Sequence, residues 1–342
     1  MNEKVGRENR IPMIDWASEA LGGRALAASD EFFAPKENLL KPGRGVFIPD
    51  RYTDRGKWMD GWETRRRRQP GHDWCIIRLG LPARLRTIEV DTNHFLGNFP
   101  EYASVDGLCL EKEPPLDVLT APEQPWHPLV PVSRLKGGHQ NRFDVRAERR
   151  FTHLRLNIFP DGGVARFRAF GDAAPDWTSV LERKEAIDLA AIEWGGRIVR
   201  ANDMFFSPGH NLIMPGPPLN MGDGWETRRR RRPGFDWIVI RLGRPGIIQR
   251  LEIDTTHFKG NHPESCRVEG AVLGDCPPDF FDGVNIAWRE LLPRVPLEAD
   301  RRHVFSDELL PADAYTHLRL CIFPDGGVAR FRAIGVPLPS EE

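Results

Sequence analysis

Nearly every distinctive segment of this chain occurs twice, and that repetition constrains its fold more than any other property. Asp-Gly-Trp-Glu-Thr-Arg-Arg-Arg-Arg begins at Asp60 and again at Asp223. Asp-Thr-x-His-Phe-x-Gly-Asn begins at Asp91 and Asp254, and His-Leu-Arg-Leu-x-Ile-Phe-Pro-Asp-Gly-Gly-Val-Ala-Arg-Phe-Arg begins at His153 and His317. Trp62 and Trp225 stand 163 residues apart, His153 and His317 stand 164 apart, and the Gly-Gly-Arg pairs at Gly22 and Gly195 stand 173 apart. The first copy therefore carries about ten extra residues, within Val46 to Trp58, as loops accept insertions readily. Solenoid repeats have periods of roughly 20–50 residues, so this is a duplicated domain, each copy long enough for its own core. The boundary is expected where Ala-Ala-Pro-Asp interrupts Asp172–Thr178, giving domains 1–174 and 175–342.

A formal charge of −1 and a pI near 6.8 leave no global field to draw the chain to nucleic acid or anionic membrane. The five cysteines form no Cys-x-x-Cys pair, which argues against both a disulfide framework and a zinc knuckle. Met1–Arg10 is charged and lacks the apolar stretch of a signal peptide. No run approaches the roughly 20 apolar residues of a spanning helix. The expectation is a cytoplasmic protein.

Hydrophobicity in the shared blocks alternates with period two. Cys75, Ile77 and Leu79 point one way, as do Ile238, Ile240 and Leu242. Ile88 and Val90 alternate around Glu89, Leu251 and Ile253 around Glu252, and Leu154, Leu156 and Ile158 share one face. These are half-buried strands, punctuated by Gly and Pro turns. Short helices are expected only over 14–21 and 186–194, each ahead of a Gly-Gly stop. The class is all-β, with each copy a β-sandwich. The order Trp, apolar strand, Leu-Gly, short link, apolar-x-apolar-Asp resembles galactose-binding-like jelly rolls.

The repeated polar residues divide into those that folding explains and those it does not. The arginine runs could mark a nucleic-acid patch, but the chain is neutral and no lysines flank them. Intramolecular ion pairs or a bidentate fork to a carboxylate ligand remain. His94 and His257 sit just past a strand end, with Asn98 and Glu101, or Asn261 and Glu264, close behind. Imidazole beside carboxylate suits acid–base work near neutral pH, and an Asp/His/Glu set also suits a divalent metal. Asp161 and Asp325 fit turn chemistry before Gly-Gly. Arg166 with Arg168, and Arg330 with Arg332, share one strand face and need anions, from neighbours or from substrate. Lys259 and His262 make the second copy's turn more polar than Leu96 and Phe99 make the first, so two equal folds with unequal chemistry are expected.

Taken together, Gly-Trp-Glu-Thr-Arg-Arg-Arg, Asp-Trp-x-x-x-Arg-Leu-Gly, His-Phe-x-Gly-Asn-x-Pro-Glu and Phe-Pro-Asp-Gly-Gly-Val-Ala-Arg-Phe-Arg, each present twice between Asp15 and Gly335, resemble the allantoicase (allantoate amidinohydrolase) family. The resemblance implies tandem jelly rolls, a homo-oligomer with a hexamer as one arrangement, and a hydrolase acting on C–N bonds of linear amidines. It also implies the substrate allantoate, split to (S)-ureidoglycolate and urea in purine and allantoin degradation. On that reading His257 or His94 is the acid–base group, partnered by Glu264 or Glu101. Arg166, Arg168, Arg330 and Arg332 would hold the carboxylate, and Asn98, Asn261, Asp161, Asp325 and Lys259 are further binding candidates. Whether a metal such as Mn²⁺ takes part is left open. The competing class is a non-catalytic tandem β-sandwich that binds carbohydrate or another ligand.

Overall fold

The computed structural model describes residues 13–283, 285–311 and 313–339. The chain divides into two compact units, one spanning Met13–Ala174 and the other beginning at Pro175. Both are all-β jelly-roll sandwiches with the same strand order.

In the first unit the strands are β1 (Arg24–Ala28), β2 (Asp73–Asp91), β3 (Tyr102–Leu108), β4 (His127–Arg134), β5 (Gln140–Asp144), β6 (Phe151–Phe159) and β7 (Arg166–Ala173). The second repeats them as β8 (Arg197–Ala201), β9 (Asp236–Asp254), β10 (Ser265–Ala271), β11 (Arg289–Pro296), β12 (Arg302–Phe305), β13 (Tyr315–Phe323) and β14 (Arg330–Pro337). The organising element is the 19-residue β2, or β9, which serves two layers. Its first part pairs with β1 and β6, and β3 and β4 extend that layer. Its second part pairs with β7 on one side and β5 on the other.

The alternation read from the sequence places the core. Ile77, Leu156 and Val105 from one layer, and Ile88, Val90, Phe167 and Ala169 from the other, are all 0% exposed. The off-pattern Ile76 is also buried, because Leu108 and Leu119 cover it from outside. The strand crosses between layers at Gly80, where a Cβ would lie 2.2 Å from the Leu21 carbonyl oxygen. Gly243 meets the Trp194 carbonyl in the same way.

The expected helices shrink to single 3-10 turns, Glu19–Leu21 and Ile192–Trp194, each ended by a glycine with φ near +90° (88° and 89°). A true α-helix, Trp177–Arg183, forms just past the expected domain boundary, where no helix was expected, capped by Asp176. Two more 3-10 turns, Lys36–Leu40 and Gly209–Ile213, precede the loops that face His94 and His257. Matching Asn38 to Asn211 and Asp60 to Asp223 puts the first repeat's extra residues between Gly45 and Asp60. There a small hairpin, Tyr52–Thr53 against Gly56–Lys57, occurs.

A candidate active site in the second repeat

The second half of β2 ends on Asp91 and that of β9 on Asp254, each in the middle of a three-stranded layer. Arg166 and Gln140 flank Asp91 in register; Arg330 and Arg302 flank Asp254. The chain then turns sharply. Thr92 and Thr255, both 0% exposed, hold the turn by donating from Oγ1 to the Lys136 and Glu298 carbonyls at 2.6 Å. His94 and His257 follow with φ of 67° and 73°. A histidine in the left-handed region is uncommon and strained, and such positions cluster at functional sites. Each ring is fixed by Nε2–H donating at 3.1 Å to the facing loop, to the Gly45 carbonyl in one copy and the Pro218 carbonyl in the other. That leaves Nδ1 as the lone-pair nitrogen of both rings.

The facing loops are held by the Arg-Phe-Arg strands, whose arginines find their anions among neighbouring residues. Arg330, 5% exposed, donates from Nε to the Gly216 carbonyl, from Nη1 to the Asn211, Asp223 and Ala329 carbonyls, and from Nη2 to the Asp223 carboxylate at 2.7 Å. Arg166, 3% exposed, does the same to Asp60 and Ala165. Burial works to raise the Asp60 carboxyl, but the hydrogen bonds from Arg166 and the Val46 amide, with the charges of Arg166 and Lys41, together outweigh it and hold the group below its ordinary value. Arg332 donates to the Leu212 and Met214 carbonyls, and Arg168 to the Lys41 and Gly43 carbonyls. These four side chains clamp loops: most of their N–H groups go to protein oxygens, while Arg166 Nε and Arg168 Nη1 are buried without a hydrogen-bond partner among the described residues.

Other candidates are relocated in the same way. Asn98 and Asn261 donate to Glu63 and Glu226, and their carbonyls accept from Gly163 and Gly327. Asp161 and Asp325 accept from the Arg67 and Arg230 backbone amides at 2.8 and 2.7 Å, as turn caps. Glu101 and Glu264 lie on the surface against Arg134 and Arg294, so they are not carboxylate partners of the histidines. The Lys259 side chain is 78% exposed and, among the described residues, pairs with Asp300 at 3.7 Å. In the arginine runs alternate members are ion-paired: Arg65 with Asp30, Arg67 with Asp73, Arg228 with Asp203, Arg230 with Asp236. Clefts of about 530 and 510 Å³ follow these runs, but their only carboxylates are those already paired, and no histidine lines them.

Among the described residues, a third cavity combines acid–base groups with unspent donors and acceptors. It encloses about 580 Å³ in the second repeat and is lined by Gly216, Pro217, Pro218, Glu252, Asp254, Thr256, His257, Arg302, Arg330 and Arg332. Asp254 accepts the Thr256 amide at 2.8 Å and, among the described residues, forms no ion pair. Arg302 donates from Nε and Nη2 to Glu252, leaving its Nη1 side to the cavity mouth, and its side chain is 61% exposed.

The first repeat has the same frame with different contents. Arg44 donates from Nε and Nη2 to the two oxygens of Asp91 at 2.8 and 2.9 Å, covering a carboxylate that is 1% exposed. Its counterpart in the second repeat is Pro217. Phe47, from the extra segment, packs on the His94 ring at 5.5 Å. Gln140 stands where Arg302 does, and Arg142 instead meets Glu89 at 2.7 Å.

A divalent metal does not fit this donor set. Among the described residues no three His, Cys, Asp or Glu side chains converge; Glu252 is neutralised by Arg250 and Arg302, and His257 Nε2 is bonded to a carbonyl. All five cysteines are free, and burial pushes Cys321 up to about 12, away from nucleophilic use. Asp254, Glu252 and Arg302 were not singled out from sequence. The repeated Asp-Thr-x-His could have shown the first, but Arg302 has no repeated signal because its partner position is Gln140.

Comparison with known proteins agrees with the repeated frame. The allantoicase repeat model matches residues 14–174 and again 187–338. A probable allantoicase 2 of Burkholderia pseudomallei is 47% identical over 94% of both chains, and the allantoicase of Dictyostelium discoideum is 45% identical over 95% of this chain and 87% of its own. The crystal structure of Saccharomyces cerevisiae allantoicase superposes with a TM-score of 0.77 at 33% identity, covering 95% of this chain and 94% of the yeast chain. The motifs, the duplicated sandwich and full-length similarity converge: the chain belongs to the allantoicase family.

Proposed function

We propose that this chain hydrolyses allantoate to (S)-ureidoglycolate and urea, a step of purine and allantoin degradation, and that the second repeat's cavity is where it does so. Family membership supports the reaction. The observation that carries the location is the open cavity with His257 held in strained backbone at its wall. Allantoate carries one carboxylate and two ureido groups on a single carbon. Arg302 is the cation placed to meet the carboxylate. His257 accepts a proton from water at Nδ1 while Pro218 steadies the other ring nitrogen, as base catalysis requires. The water oxygen bonds to the central carbon, the C–N bond to one ureido group breaks, and the proton held on His257 passes to the departing nitrogen, giving urea.

This reading also takes the enzyme as cytoplasmic and self-associating. Uniformly free cysteines support the first, and exposed phenylalanine pairs on each repeat, Phe32–Phe33 and Phe205–Phe206, support the second. No helix among the described residues is long and apolar enough to cross a membrane. The decisive measurement is urea and ureidoglycolate release from allantoate by the purified chain. One-to-one formation is expected; no urea release, with or without added Mn²⁺, would return the chain to the ligand-binding class.

A further inference from the structure

The two repeats differ at one position in a way that identifies a ligand seat. We infer that the Asp254 carboxylate is the receptor for a ureido group, and that Arg44 in the first repeat occupies the equivalent seat as a built-in stand-in, leaving that repeat a closed copy of the same site. The inference rests on the second repeat's cavity being the allantoate site.

The argument begins with shape. A guanidinium offers two parallel N–H bonds, from Nε and one Nη, spaced to match the two oxygens of a carboxylate. Arg44 uses that pair on Asp91, at 2.8 and 2.9 Å. A substituted urea, R–NH–CO–NH₂, is also planar and presents two parallel N–H bonds on the side away from its carbonyl. The two groups are near-isosteres, differing in charge but matching in donor geometry. In the second repeat the carboxylate stands on the same strand end, facing the same Gly-containing loop, with Pro217 in place of Arg44 and no ion pair among the described residues. Pro217 can reach nothing of this kind: it has no N–H and a short ring. A half-buried carboxylate accepting one backbone amide retains acceptor capacity, and a two-donor ligand uses it. Phe47 over His94 closes the first repeat further.

The test moves the stand-in across. In the full-length chain, Pro217→Arg is expected to lower kcat/KM for allantoate by at least about tenfold, and to abolish competitive inhibition by methylurea. Pro217→Met, which adds bulk without the fork, is expected to lose clearly less. Equal losses in the two variants, or methylurea inhibition unchanged in Pro217→Arg, would overturn the proposal. Conversely, Arg44→Ala keeps wild-type turnover but gains a second methylurea, seen on Asp91 in crystals soaked with it; an empty Asp91 seat in those crystals counts against the proposal. The crystal result does not depend on turnover. If the wild-type chain released no urea from allantoate, the functional reading would fail, while methylurea on Asp91 would still establish the seat.

Discussion

His94 and His257 share a motif, a backbone conformation and a hydrogen bond to the facing loop, yet only His257 opens on a cavity with an unpaired carboxylate. His257→Ala is therefore expected to lower kcat by about 10²–10⁴-fold, the usual worth of a general acid–base group, and His94→Ala to leave kcat within a few fold. A steady-state urea assay on both variants checks this, and equal losses would remove the asymmetry between repeats. The sequence singled out both histidines because strand-end turns carrying His are rare enough to notice twice. It left the Arg-Phe-Arg side chains between neighbouring anions and substrate, because charge pattern alone cannot show that Asp60, Asp223 and backbone carbonyls take up most of their N–H groups. Asp188 supplies a second residue-scale expectation. Burial raises its carboxyl to about 6 from 3.8 despite the Ala333 amide and Arg332, while burial also lowers Arg332. The native state thus keeps a proton that the unfolded chain releases near pH 4. Its stabilising contribution is complete at low pH and is lost as pH rises to about 6, by on the order of 3 kcal/mol. Asp188→Asn should flatten the stability of the chain over that window, measured by urea denaturation at pH 4 to 7.

The turn before each Arg-Phe-Arg strand shows how much one element owes to packing outside it. Gly162 and Gly326 need φ of 140° and 134°, a turn requirement that the Pro-Asp-Gly-Gly pattern displays openly. The next residue in each pair, Gly163 or Gly327, is glycine for another reason. A Cβ there would lie 2.0 or 1.9 Å from the ring of Phe95 or Phe258, each 0% exposed. Gly163→Ala and Gly327→Ala should each cost about 1–3 kcal/mol through overpacking, whereas Gly97→Ala, with nothing within 4 Å, should cost far less. Thermal melts of the three variants provide the measurement. Period-two alternation made the strands legible, since one buried face imposes it. The helices were less so: Gly-Gly stops mark the end of any turn, whatever its length, so they could not separate a 3-10 turn from a helix. The Trp177–Arg183 helix spans only about two turns, too few for a 3.6-residue period to show, and its Asp176 cap is the informative signal.

For the whole chain, two equal folds carry different loops, and stoichiometry should show it. Hydantoate, which has one carboxylate and one ureido group but no second ureido to expel, should bind once per chain by titration calorimetry; two equivalent sites would contradict the closed state of the first repeat. The duplication itself was fully legible, because a period of about 160 residues needs no structure to be seen. The inequality was legible only as a difference in turn polarity, since the deciding residue, Arg44, follows the shared Asn-Leu-x-x-Pro-Gly of residues 38–43 and 211–216 but is not itself repeated. One further property follows from the arginine runs. Pairing consumes Arg65, Arg67, Arg228 and Arg230, while Arg66, Arg68, Arg229 and Arg231 stay exposed, so positive charge is gathered at one loop of each unit. A molecule with a formal charge of −1 then behaves as locally cationic. It should be retained on a sulfonate resin at pH 7.5 in low salt, above its pI of about 6.8, and released by a few tenths molar NaCl, as the Debye length contracts toward about 5 Å. Average charge would place this protein in the flow-through; where the charge sits keeps it on the column.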